Sequence, residues 1–153
     1  MPLVVGAGVL LGSSLLYGMC TDLIVRLFAR LVRIRDHRLG FRKSAAVMMV
    51  VTLITAAAHL GAITLWAAAL LACGAMSSFD TAWYVSAQNY TALGYGDILL
   101  PERWRLLGPL EAINGLLLVG LSTALMFAVM SHLIKQRLEP LLPPRETINE
   151  RIP

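Results

Sequence analysis

Three long apolar runs are separated by short polar stretches, and that alternation predicts the elements. Residues 2–19 carry no charge and are mostly apolar, long enough for one membrane-crossing helix of about 20 residues. The helical pattern continues over 21–34. There Leu23, Leu27 and Leu31 share one face, while Arg26, Arg30 and Arg33 form a basic stripe. Because those arginines lie beyond the apolar run, they read as an interfacial extension facing anionic lipid, not as a voltage sensor. Residues 35–43, containing Gly40, read as a loop. A second apolar run predicts an outer helix over 44–73, where Ala56, Ala57, Ala58 and Gly61 would allow close helix approach. A shorter amphipathic run predicts a helix over 77–90 with Ser77 as N-cap and Asp80 as its capping-box partner. At about 20 Å it can enter a membrane and not cross it. A third long helix is predicted over 109–132, starting at Pro109, and residues 134–153 form a polar, proline-containing tail. A tail of this length is not expected to hold a nucleotide- or calcium-binding regulatory domain.

Composition sharpens the class. The chain has 153 residues, 58% of them hydrophobic and 14% charged, which places it among membrane proteins with a single domain. The net charge of +4 does not indicate nucleic acid, because the charge is placed as the positive-inside rule expects. Seven of the 13 Lys and Arg lie between Arg26 and Lys43, and four more from Lys135 onward. The expected orientation has the N-terminus outside, the 97–107 linker outside, and the 35–43 loop and C-terminus cytoplasmic. A signal peptide would carry its positive charge before the apolar run; here the charge follows it. Cys20 and Cys73 fall near opposite membrane faces, so both are expected as free thiols.

The stretch that carries chemistry is Thr91-Ala92-Leu93-Gly94-Tyr95-Gly96-Asp97. Its alternating glycines suit a backbone that turns successive carbonyls toward one axis, where they can replace the hydration shell of an ion. Non-helical backbone at membrane depth is tolerated only where it lines a pore or is covered by protein. The stretch resembles the filter signature of tetrameric potassium channels, Thr-Thr-Val-Gly-Tyr-Gly-Asp, with Leu93 for Val and Ala92 for the second Thr. The run Glu111-Ala112-Ile113-Asn114-Gly115 is similar to the start of the inner helix of bacterial ion channels. The resemblance covers residues 77–133.

It implies an all-α homotetramer. Each chain would contribute three spans and a re-entrant pore loop within a pore domain over 44–133. K+ would pass along carbonyls of Ala92, Leu93, Gly94 and Tyr95, with Gly96 closing the row and Thr91 at the inner entrance. Gln88, Asp97, Tyr84 and Glu111 would support the filter, and Trp83, Tyr84 and Tyr90 would form an aromatic cuff. Glu111 reads either as a carboxylate in the first turn of the last helix or as a charge behind the filter. Gly115 and Gly120 are a hinge or a close-packing device, and Ser122 and Thr123 line a wet cavity. Met126, Phe127 and Met130 form an apolar constriction or face lipid. His59, in mid-span, is a pH sensor or a neutral imidazole bonded to Thr55 or a neighbouring carbonyl. The function implied is passive, potassium-selective conduction across the cell membrane, with no enzyme chemistry and no organic cofactor. Ala92 departs from the pattern by removing a hydroxyl at the innermost ion site, which leaves a weakly selective cation channel open. A non-conducting regulatory or anchor subunit with a degenerate pore is the alternative from another class.

Overall fold

The structure, a computed structural model, describes residues 1–33 and 41–138. The loop expected over 35–43 lies outside the described residues as far as Gly40, and the tail lies outside them from Glu139 onward. The elements are α1 (Pro2–Arg33), α2 (Phe41–Ala72), α3 (Phe79–Tyr90), a 3-10 turn over Glu102–Trp104, and α4 (Leu107–Leu138). Three segments are long and apolar enough to cross a membrane: Pro2–Arg30, Ser44–Ala72 and Glu102–Gln136. The described residues are helical apart from the connections and contain no strand.

α1 runs unbroken from the first apolar run into its basic extension. Gly6, Ser13, Tyr17 and Ile24 are buried at spacings of one or two helical turns, which defines a single inward face. Asp22 and Arg26 pair at 2.7 Å on the opposite, exposed side, so the pair adds little stability. α1 lies against α2 and α4; α2 also contacts α3 and α4, and α3 packs on α4. The small residues of α2 divide by face. Ala58 is buried and a Cβ at Gly61 would stand 3.1 Å from Leu16 of α1, whereas Ala56 and Ala57 are exposed.

α2 ends in a Schellman motif: Ala75 N–H donates to Leu70 O and Gly74 N–H to Leu71 O, both at 2.9 Å. Gly74 takes the left-handed conformation this requires (φ +63°). α3 is capped by Ser78, one residue later than expected. Its Oγ accepts the Thr81 amide at 3.3 Å and donates to the Thr81 hydroxyl at 2.8 Å, so Thr81 rather than Asp80 completes the cap. α4 begins at Leu107, not Pro109, and runs past His132 to Leu138. Proline fits at its third position because the N–H it lacks has no partner within the helix there.

One apolar cluster, with Ala62, Trp66, Ala67, Leu70, Ala82 and Leu107 fully or almost fully buried, holds α3 against α2 and α4. A second, of Ile24, Val51, Val129 and Leu133, closes the other end of the α1–α2–α4 bundle. Between the clusters lies a layer of polar side chains.

Candidate functional site

α3 delivers the segment 91–99, and the way the helix stops sets the conformation of that segment. Thr91 N–H still bonds Ala87 O at 3.1 Å in helical fashion. Ala92 N–H then donates to Asn89 O and Leu93 N–H to Gln88 O, both at 2.9 Å, a second Schellman motif. The position that favours glycine in this motif is occupied by Ala92, at φ +55°. Gly94 (φ +53°) and Gly96 (φ +75°) repeat the left-handed conformation at every second residue. A non-glycine residue there costs roughly 1–2 kcal/mol, so Ala92 is a strained link at the head of the segment.

Gln88 organises the backbone. Its carbonyl accepts Leu93 N–H at 2.9 Å and Gly94 N–H at 3.4 Å, and its side-chain Oε1 accepts Tyr95 N–H at 3.0 Å. With no cis peptide present, each of these N–H bonds points opposite to the carbonyl of the preceding residue within their shared peptide plane. The carbonyls of Ala92, Leu93 and Gly94 therefore all point away from α3, along a strip whose residues are exposed from Thr91 to Leu99. Gln88 Nε2 donates to Asp97 Oδ1 at 3.0 Å and Tyr84 Oη to Oδ2 at 2.7 Å. These bonds, the Tyr84 hydroxyl first, hold the Asp97 carboxyl below the usual carboxylate range. The Thr91 hydroxyl donates back to Ala87 O at 2.7 Å, which anchors the segment's first residue.

Residues 49–132, more than half of the chain, match the model of a protein family described as ion channel. The chain belongs to this ion-channel family. No curated protein and no solved structure gives a significant match. With three candidate spans, this ion-channel chain is a multi-pass membrane protein.

The other residues singled out in the sequence take up varied places around the 91–99 segment. Of the three aromatic side chains expected around it, only Tyr84 reaches it within the chain. Trp83 Nε1 donates to Thr64 Oγ1 of α2 at 3.2 Å, and Tyr90 turns inward to His59. Glu111 lies past the first turn of α4 and is wholly buried. Its Oε2 accepts Asn89 Nδ2 at 3.3 Å, so it braces the C-terminal end of α3. Asn89 was not singled out in the sequence; an amide three residues before a turn carries no distinct signal.

Gly115 and Gly120 differ. A Cβ at Gly115 would run into the Tyr90 carbonyl oxygen, with the carbonyl carbon at 2.8 Å, whereas a Cβ at Gly120 would meet nothing within 4 Å. Gly115 thus permits the close approach of α4 to the end of α3. Ser122, expected to line a cavity, is buried in the polar layer and bonded to Leu118 O, Tyr17 and His59. Thr123 is exposed, with its hydroxyl on Val119 O at 3.0 Å. Phe127 and Met130 are exposed, whereas Met126 packs against the second apolar cluster. His59 bonds neither Thr55, whose hydroxyl goes to Val51 O, nor a backbone carbonyl. Cys20 and Cys73 are free thiols.

Two further polar pairs were not visible in the sequence. Asn114 Nδ2 donates to Ser13 Oγ at 2.7 Å, and Tyr17 Oη to Ser122 Oγ at 2.9 Å. Both join α1 to α4. An Asn inside an apolar span is the only signal that could have raised either.

Proposed function

We propose that four copies of this chain enclose a potassium-selective pore that conducts passively. The observation carrying the reading is the row of carbonyls from Ala92 to Gly94, turned outward because their amide neighbours are held on Gln88. A ring of such rows supplies oxygens that substitute for the hydration shell of K+. Tyr95 and Gly96 would extend the row, and Thr91 would sit at its inner entrance. Ions move down their gradient, so no enzyme chemistry is involved. The exposed face of α4, with Gly120, Thr123 and Phe127, would face the aqueous path or a neighbouring subunit. The N-terminus and the 97–107 linker would lie outside and the C-terminus inside, as the clustered basic residues favour.

The test is potassium flux from proteoliposomes, with wild type against Gly94→Ala. The added Cβ meets no atom within 4 Å in the chain, so the penalty comes from φ +53°. At roughly 1–2 kcal/mol per chain, a ring of four would lose about 4–8 kcal/mol. Flux should vanish while the tetramer, sized by mass in detergent, persists. Undiminished flux would remove the assignment. A weakly selective cation pore is the second reading, favoured by Ala92, which offers a carbonyl and no hydroxyl. Equal K+ and Na+ fluxes would establish it.

A further inference from the structure

Each helix places one side chain in a continuous hydrogen-bonded relay through the polar layer. Tyr17 of α1 donates to Ser122 of α4 at 2.9 Å. Ser122 Oγ lies 2.6 Å from His59 Nε2 of α2, and His59 Nδ1 lies 2.8 Å from Tyr90 Oη of α3. Tyr90 is the last residue of α3, and Thr91 follows it directly.

The protons can be placed one at a time. Ser122 has a single hydroxyl proton, and it goes to Leu118 O at 2.8 Å. Its oxygen therefore accepts twice, from Tyr17 and from His59, so Nε2 carries a hydrogen. The neutral ring then leaves Nδ1 as an acceptor, and Tyr90 donates to it. Every donor hydrogen of the relay then has an acceptor, with His59 as the neutral Nε2–H tautomer.

Resting on the channel reading, we propose that His59 is a positioning residue for the foot of the conduction segment, coupling α1 to Tyr90, and that its protonation reverses the bond to Tyr90 and strands that residue's hydroxyl hydrogen. The titratable groups facing the ring are Tyr17 from α1 and Tyr90 from α3, with ring centroids at 5.7 and 5.8 Å. α4 presents Ser122, and its Glu111 is within electrostatic reach of Tyr90. Among the described residues no Asp, Glu, Lys or Arg bonds the imidazole. A proton on Nδ1 sets two donors against each other, so Tyr90 must turn its hydroxyl hydrogen away. Among the described residues nothing else accepts it, although Tyr90 is only 2% exposed. Nδ1–H then donates to Tyr90 Oη, and a buried hydroxyl hydrogen is left unpaired at the residue that adjoins Thr91.

Two measurements decide it. In proteoliposomes, wild-type flux should fall roughly tenfold between pH 8 and pH 5, the scale of one unmade buried hydrogen bond. His59→Gln keeps a donor and an acceptor on one terminus without titrating, so it should conduct at both pH values. His59→Leu should conduct poorly at both. A pH-independent wild type, or an unchanged pH response in His59→Gln, overturns the proposal. The second measurement does not need conduction: 15N shifts of the His59 ring at pH 7.5, assigned by His37→Gln and His132→Gln. They should report the Nε2–H tautomer; an Nδ1–H tautomer or a charged ring overturns the proposal. Wild type that carries no flux at any pH refutes the channel reading instead, and the 15N result then decides the relay by itself.

Discussion

Gly115→Ala tests the contact on which the placement of α3 depends. The added Cβ would press into the Tyr90 carbonyl, 2.8 Å from its carbon and 3.1 Å from its Cα. Carbon atoms rest at about 3.5–4.0 Å, so α4 and the end of α3 must part by on the order of 1 Å. A backbone carbonyl at a helix end cannot swing aside as a side chain can, so the cost falls near the top of the overpacking range, about 3 kcal/mol. The same displacement stretches the Asn89–Glu111 bond, already 3.3 Å long. For a chain of this size the thermal midpoint should drop by about 6–12 °C. Gly120→Ala is the matched control, because its Cβ meets nothing within 4 Å; its stability should change by less than about 0.5 kcal/mol. The assay is thermal unfolding in detergent followed by intrinsic fluorescence, alongside flux on the same preparations. A Gly115→Ala midpoint within about 2 °C of wild type would refute the close-approach argument. Loss of flux in Gly120→Ala at unchanged stability would instead point to a bend in α4 at that residue.

Gln88→Met keeps the volume but leaves the Tyr95 amide without its acceptor, a cost of about 1–3 kcal/mol; flux should fall at least several-fold, and equal flux would dismiss the role given to Gln88. The bonds to Asp97 depress its pKa, so their contribution is complete above the ordinary carboxylate pKa and is lost only as pH falls through the lowered value. Outside acidification to pH 5 should therefore leave the Tyr84–Asp97 contact intact, and a Tyr84→Phe effect that disappears by pH 5 would contradict this. Ala92→Gly removes the left-handed strain and should raise the thermal midpoint, while Ala92→Thr places a β-branched side chain at φ +55° and should lower it; the reverse order would argue against the Schellman geometry. Single cysteines at Gly40 and Glu102 should react with impermeant thiol reagents from inside and outside respectively, and external labelling at Gly40 would invert the topology.

The spans were legible because apolar runs of that length have few other uses, and the left-handed turns at Gly94 and Gly96 were legible because glycine tolerates them at every second place. The way α3 ends was not, although it stops at Tyr90 as expected. A Schellman motif is ordinarily announced by glycine, and here alanine fills the left-handed position, so the turn at Ala92 could not be read from residue type. The cap was misplaced by one because Ser77 and Ser78 are both competent, and only the Thr81 amide decides between them. Ser122 was assigned to a cavity because a hydroxyl in an apolar helix suits either a wet lining or a buried network. Its partners Tyr17 and His59 lie 105 and 63 residues away, beyond the reach of any local pattern.

The ties between α1 and α4 impose an order on biosynthesis. Ser13 and Asn114 are 101 residues apart, and Tyr17 and Ser122 are 105 apart, so the first helix enters the bilayer long before its partner is translated. Ser13 can wait, because its hydroxyl also serves Leu10 O. The Tyr17 hydroxyl has its hydrogen-bond partner in Ser122, so that bond can form only once α4 arrives. Arrival of the last helix therefore completes the ties that seat the first one. A chain stopped before residue 107 should expose α1 as a loosely seated helix, open to quality-control proteolysis, while the full-length chain resists it.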